Sequence, residues 1–111
     1  MYSYNEVKDL LSPAASKLLN DSAIFERFCA AAESVVKAAI GNVTKTDATL
    51  QPFAWIMEYL CGQKMGGASE SKLEYDKNNY DSAISLLKEQ NSSRNSGSKI
   101  GTMDIPYSNE G

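Results

Sequence analysis

The pattern of apolar and polar residues over positions 1–90 has a helical period. Between Ala23 and Ile40, apolar side chains recur with i, i+3, i+4, i+7 spacing, and charged or small polar residues occupy the opposite side. Gly41 follows directly, at the position where a residue with left-handed backbone commonly ends a helix. This pattern predicts an amphipathic helix that begins at Ala23 and ends before Gly41.

Two shorter helices are predicted ahead of this one. Ser3 and Glu6 have the spacing of a capping box, so a helix is expected to begin directly after Ser3. Ser12 and Pro13 match a helix cap followed by proline in the first turn. The polar run 20–22 then supplies a stop and the next cap. The first 22 residues are therefore expected to form a pair of short helices.

The next helix is predicted to begin at Pro52, after a polar loop over 42–49, and to end at the glycine pair 66–67. Its main apolar stripe consists of Phe53, Ile56, Met57, Leu60 and Cys61. Trp55 and Tyr59 lie outside this stripe, so the helix is apolar around most of its circumference and needs cover around most of it. Either it is the central helix of the domain, with Trp55 and Tyr59 in the core, or these two aromatic residues bind a partner.

Ser71 and Glu74 repeat the capping-box spacing, and a last helix is predicted from there to about Gln90. Its apolar stripe consists of Leu73, Tyr80, Ala83, Ile84 and Leu87. Two oppositely charged i, i+4 pairs are expected on its solvated face, namely Lys72 with Asp76 and Lys77 with Asp81. The core is expected to contain Phe25, Phe28, Val35, Val36, Leu73, Ile84 and Leu87.

The composition changes near Asn91. Residues 91–111 are rich in Ser, Asn and Gly, as flexible linkers are, and then carry four apolar residues, Ile100, Met103, Ile105 and Tyr107. Three of these alternate as in a strand with one apolar face, and a lone strand is not stable in water. The tail is therefore either disordered or added to a sheet edge of a partner. The predicted fold is all-α, a compact bundle of about four helices over 1–90, with a flexible linker and a long extended partner-binding tail over 91–111.

Composition argues for one domain without catalytic machinery. The chain has 111 residues, a formal net charge of −3 and no histidine, so the commonest general base and metal ligand is missing. Cys29 and Cys61 lie in apolar stretches and are interpreted as small buried hydrophobes. The negative charge disfavours specific nucleic-acid binding. We expect no enzyme activity, no cofactor and no metal site.

The sequence also bears on location. The N-terminus has neither the basic nor the apolar region of a secretory signal, and no window approaches the length of a membrane span. The chain is therefore expected to be made in a reducing cytoplasm and to have no membrane partner.

Taken in order, these features resemble the small head–tail connector proteins of tailed bacteriophages, the Mu-type joining family of adaptor and head-completion proteins. The likeness covers residues 1–90. It consists of the aromatic start 1–3, the Ala-rich helix Phe25–Ile40, the polar loop that leads to Pro52, the helix containing 56–60, and the Tyr-x-x-Ala-x-x-Leu-Leu-Lys segment 80–88. The likeness rests on the joint order and spacing of these elements, while the loop 44–49 carries fewer apolar residues than is usual in that family and Asn79 stands where an arginine is expected before Tyr80.

This resemblance implies a structural virion protein without catalytic residues, made in the bacterial host and located at the head–tail interface. Such proteins form a ring of identical subunits, usually dodecameric, below the portal protein. The ring continues the DNA channel, through which genomic DNA passes without specific binding, and it docks a tail terminator or tail completion protein.

The expected partner-binding residues combine the two unusual apolar features, and they are Trp55, Tyr59, Ile100, Met103, Ile105 and Tyr107. β-Augmentation of a portal or neighbouring subunit by the tail would suit this role. The alternative function is a small cytoplasmic regulatory binding protein that caps a host or phage enzyme.

Overall fold

The structure, a computed structural model, describes the backbone of residues 2–99 and the side chains of residues 2–91. It has five α-helices, and a short 3₁₀ turn at Lys8–Leu10 links the first two. The helices are α1 (Tyr4–Val7), α2 (Pro13–Leu18), α3 (Ser22–Ala39), α4 (Asp47–Met65) and α5 (Glu70–Lys99). Residues 2–99 contain no strand, so the predicted all-α class is confirmed.

The predicted caps of the first three helices are present. The Ser3 N–H donates to Glu6 Oε1 at 2.8 Å, and Ser12 Oγ accepts from an N–H of the first turn of α2 at 3.2 Å. The Asp21 carboxylate accepts from two N–H groups of the first turn of α3, at 3.0 and 3.1 Å. Gly41, with φ +100°, follows the end of α3. Local hydrogen-bonding chemistry therefore determines where these helices begin and where α3 ends.

The predicted start of the helix that contains Pro52 is wrong. α4 begins at Asp47, and Pro52 lies buried inside it. The Thr46 N–H donates to Thr49 Oγ1 at 2.9 Å, so two threonines form the cap inside the run that was predicted to be a loop. Threonine side chains can cap a helix, and this pair lengthens α4 by more than one turn relative to the prediction.

Pro52 is accommodated through a contact from α5. Proline has no N–H, so the Ala48 carbonyl four residues earlier receives no helical hydrogen bond from it. Gln90 Nε2 donates to that carbonyl at 3.2 Å. A side chain of the neighbouring helix thus supplies the donor that proline cannot.

Both predicted ends of the last helix also differ from the structure. Ser69 Oγ accepts from a first-turn N–H at 3.1 Å, so Ser69 is the cap of α5 and Ser71 lies within it. The helix continues beyond Gln90 to Lys99, so part of the predicted linker is helical. The four apolar tail residues, Ile100, Met103, Ile105 and Tyr107, lie outside the described residues, and the extended tail stays a prediction.

α4 is the central helix, and it packs antiparallel to α5 and also contacts α3 and the N-terminal helices. Its buried side chains include Phe53, Ile56, Met57 and Cys61. The apolar surface of α4, which the sequence indicated must be covered, is therefore covered by other helices of the same subunit. Tyr2 contributes to that cover, because its ring lies 5.0 Å from the Phe53 ring and its hydroxyl hydrogen-bonds to Thr49 Oγ1.

Most of the expected core is confirmed. Phe25, Val36 and Leu87 are buried, and Phe28, Val35 and Ile84 are half-buried against the core. Leu73 is an exception, since it is 40% exposed near the start of α5. Cys29 and Cys61 are buried and do not form a disulfide, as expected for small hydrophobes.

Candidate interaction surface

The two predicted aromatic residues of α4 occupy different environments. Tyr59 is half-buried, and its ring lies 4.5 Å from the ring of Tyr80 on α5 at an interplanar angle of 33°. Trp55 is also half-buried but lines a surface groove beside Tyr75. The structure thus places Tyr59 in a helix–helix contact and Trp55 at a groove, and it does not bring the two into one site.

This groove, here called the acidic groove, lies where the 3₁₀ turn meets α4 and α5. It has a volume of about 270 Å³, and its walls include Asp9, Leu10, Trp55, Glu58, Tyr75 and Asp76. Tyr75 is 63% exposed and Leu10 is 37% exposed. Tryptophan and tyrosine are enriched at protein interfaces, so Trp55 and the exposed Tyr75 make this groove a candidate interaction surface.

An ionic network forms the floor of the acidic groove. Glu58 accepts from the Ser12 N–H at 2.8 Å and from Ser12 Oγ at 2.7 Å. Lys72 Nζ donates to Glu58 at 2.9 Å and to both Asp76 oxygens at 2.7 Å. One lysine therefore joins carboxylates from two helices, while Glu58 also fixes the residue that caps α2.

The network corrects the sequence prediction that Lys72 and Asp76 lie on a solvated face. The Asp76 side chain is only 3% exposed. The other predicted pair, Lys77 with Asp81, is exposed at both ends and is confirmed as a surface pair, with 3.1 Å between Nζ and Oδ2. Burial is the difference, because Asp76 faces α4 next to Gly62, where a Cβ would lie 3.5 Å from Oδ2.

The charge states in the network follow from these bonds. Burial alone would raise the pKa of Glu58, but hydrogen bonds from Ser12 and the charge of Lys72 outweigh it, so its pKa lies below the ordinary value. For Lys72, burial opposes the charge, yet hydrogen bonds to Asp76 and Glu58 raise its pKa. Both groups are therefore ionised at neutral pH.

The acidic groove carries an excess of negative charge. Three carboxylates line it, those of Asp9, Glu58 and Asp76, and Lys72 is the one basic residue among its lining residues, which gives a formal charge of −2. Aromatic faces and carboxylates together favour a cationic group. The groove can thus recognise a basic side chain of another molecule.

Sequence reasoning missed this groove, although one signal was present. Glu58 is the single acidic residue within the apolar stretch 53–62, and a charge in such a stretch is commonly paired when the helix is buried. Its partners could not be read from spacing, because Ser12 and Lys72 are distant in sequence.

Within residues 2–91, no group of three or more His, Cys, Asp or Glu side chains has the arrangement of a metal site. The Cys61 thiol is buried, and desolvation, with a smaller contribution from the Glu58 charge, raises its pKa to about 12. None of the described helices is both long and apolar enough to cross a membrane. No protein-family model, curated protein or solved structure matches this chain.

Proposed function

We propose that the protein is a structural virion protein, a head-to-tail adaptor that forms a ring below the portal, continues the DNA channel and docks the tail. The order of its helices resembles that of small phage connector proteins. In that family the ring is usually dodecameric, and its neighbours are the portal and a tail terminator or tail completion protein. The protein is made in the bacterial cytoplasm and then becomes part of the virion.

The observation that carries this proposal is the combination of a self-sufficient core with an open acidic groove. The central helix α4 is covered within the subunit, so Trp55 is not needed to close the core from outside. Yet Tyr75 and Leu10 remain exposed around it. A subunit of this kind folds alone and keeps a surface for assembly, which suits a protein that joins other structures.

The apolar tail residues complete the proposed partner-binding set. The tail would add as a strand to a sheet edge of the portal or of a neighbouring adaptor, through its apolar residues Ile100, Met103, Ile105 and Tyr107. This part of the proposal rests on their alternation in the sequence and on the family resemblance.

Electron microscopy of the full-length protein mixed with the portal protein of the same phage tests the proposal. We expect ring density on the tail-facing side of the portal. The double variant Ile105→Asp/Tyr107→Asp is expected to lose this density while keeping the wild-type circular dichroism and melting temperature. Asn109→Asp, a nearby polar position, is the matched control and is expected to retain the ring.

The outcomes separate the two functions. A one-to-one complex with a soluble enzyme, without a ring on the portal, would contradict the adaptor function and support the regulatory binding protein instead. Rings that form equally well with the double variant would remove the tail from the partner-binding set.

A further inference from the structure

The register between α4 and α5 determines how far α5 reaches. Three antiparallel neighbours set it, namely Gly62 with Asp76, Tyr59 with Tyr80 and Ala48 with Gln90. This register places Asp47, the first residue of α4, level with residue 91. The backbone of α5 nevertheless continues to Lys99, a further rise of about 12 Å. The end of α5 therefore extends past the start of its main packing partner.

The composition of this end differs from the rest of the helix. Residues 91–99, here called the α5 tip, contain Arg94 and Lys99, no acidic residue and no large apolar residue. The formal charge of the tip is therefore +2, in a chain whose net charge is −3. A helical segment that is polar all round has no apolar stripe to bury in its own core.

The acidic groove lies near the opposite end of the same helix. Asp76 belongs to the second turn of α5, and Arg94 follows it by about 27 Å along the helix axis. Because both positions are on one continuous helix, the tip cannot bend back into the groove of its own subunit. A basic tip and an acidic groove that cannot meet within a chain can meet between two copies.

We propose that the α5 tip of one copy docks in the acidic groove of the next copy. The tip would bring two basic residues, Arg94 and Lys99, to a groove whose walls include Asp9, Trp55 and Tyr75. This inference rests on the proposed ring function and deepens it by naming the surface between subunits. Tip and groove are different surfaces, so the contact is heterologous, and repeating it produces a ring or a filament.

Sedimentation velocity of the full-length protein tests the contact. We expect concentration-dependent self-association that weakens at least tenfold between 50 and 500 mM NaCl, because added salt shortens the range of the attraction between charges. The tip variant Arg94→Glu/Lys99→Glu is expected to lose at least tenfold in association constant. The control variant Lys17→Glu/Lys37→Glu makes the same change in net charge at exposed positions of α2 and α3, and it is expected to associate within twofold of wild type.

A charge-swap experiment identifies the partner of the tip. The groove variant Asp9→Lys/Asn79→Lys changes the formal charge of the groove from −2 to +1, and alone it is expected to lose association as the tip variant does. An equimolar mixture of the two variants pairs a positive groove with a negative tip and a negative groove with a positive tip. We expect the mixture to associate at least tenfold more strongly than either variant alone.

Several results would overturn the inference. These are a wild-type protein that stays monomeric up to about 1 mM in 50 mM NaCl, a tip variant that associates as wild type does, or a mixture that fails to recover association while both variants keep wild-type circular dichroism. Portal binding is measured on the same variants. A wild-type protein that binds the portal but does not self-associate refutes this interface alone, whereas self-association without any portal binding refutes the adaptor function and leaves the interface standing.

Discussion

Replacing Glu58 by glutamine tests the ionic network directly. The substitution keeps the size and shape of the side chain and removes its charge. In the native protein, the two carboxylate oxygens receive three donors, from the Ser12 N–H, the Ser12 hydroxyl and Lys72 Nζ. The amide introduced by Glu58→Gln has one oxygen to accept and presents an NH₂ group toward the remaining donors. At least one of the three hydrogen bonds must therefore be lost.

The expected cost is about 2 kcal/mol of unfolding free energy. A hydrogen bond to a charged group contributes about 1.5–3 kcal/mol, and exposure to water reduces the contribution of a charged pair. Glu58 is well covered, but Lys72 is more than one third exposed, so water partly replaces its lost partner. For a domain of this size, about 2 kcal/mol corresponds to a fall in Tm of about 10 °C.

Urea denaturation followed by circular dichroism at pH 7 measures the free energy of unfolding. Glu74→Gln on the exposed surface of α5 is the matched control, and its free energy of unfolding is expected within about 0.5 kcal/mol of wild type. A double-mutant cycle with Ser12→Ala isolates the contact between Ser12 and Glu58, since substitutions at two residues that share hydrogen bonds should not have additive effects on the free energy of unfolding. If Glu58→Gln unfolds at the same urea concentration as Glu74→Gln, or if the cycle shows strict additivity, the network does not hold α2 and α5 to α4.

The remaining predictions use other groups of the same domain. The pKa of Glu58 is lowered in the folded state, so its contribution to stability is full above its ordinary pKa, near 4.5, and is lost as the pH falls through the folded value. Between pH 7 and pH 3, the free energy of unfolding measured with urea should therefore fall less for Glu58→Gln than for wild type. In a Cys29→Ala background, the buried Cys61 thiol, with its pKa raised to about 12, should react with a thiol reagent at pH 8 only as fast as the protein unfolds. Tyr2→Phe removes a hydroxyl bonded to Thr49 and should cost about 1 kcal/mol, measured by urea denaturation.

The elements that sequence predicts well are those fixed by neighbours along the chain. The starts after Ser3, Ser12 and Asp21 depend on side chains that bond to an N–H two or three residues away. Gly41 follows the end of α3 because its positive φ suits glycine. Sequence spacing carries this information in full, so these boundaries agree with the structure.

The starts of α4 and α5 are also fixed by local caps, at Thr46 and Ser69, but Pro52 and Ser71 give competing start signals nearby, and the prediction followed those. Pro52 resembles a helix start because proline is favoured in the first turn and lacks an N–H. Its place inside α4 becomes understandable once Gln90 is seen to donate to the Ala48 carbonyl. That donor lies 42 residues from its acceptor, and nothing in the local pattern indicates it.

The same limit applies to charges. Lys72/Asp76 and Lys77/Asp81 have identical spacing, yet one pair is in a buried network and the other is on the surface. Asp76 is buried because its position on α5 faces α4, and Glu58 of α4 accepts a hydrogen bond from the same Lys72. Periodicity assigns a residue to a face of its own helix, whereas the neighbour across that face decides the environment.

The location of the network has a consequence for assembly. A surface that must bind another subunit needs its side chains held in place before binding, since ordering them on contact reduces affinity. Lys72 is fixed by Glu58 and Asp76 and cannot readily turn outward to neutralise the acidic groove. The groove therefore keeps its negative charge in the isolated subunit, and Trp55 lines the same groove as the network. The ionic network thus stabilises the packing of α2 and α5 on α4 and, through the same bonds, prepares the groove that we propose receives a basic helix end.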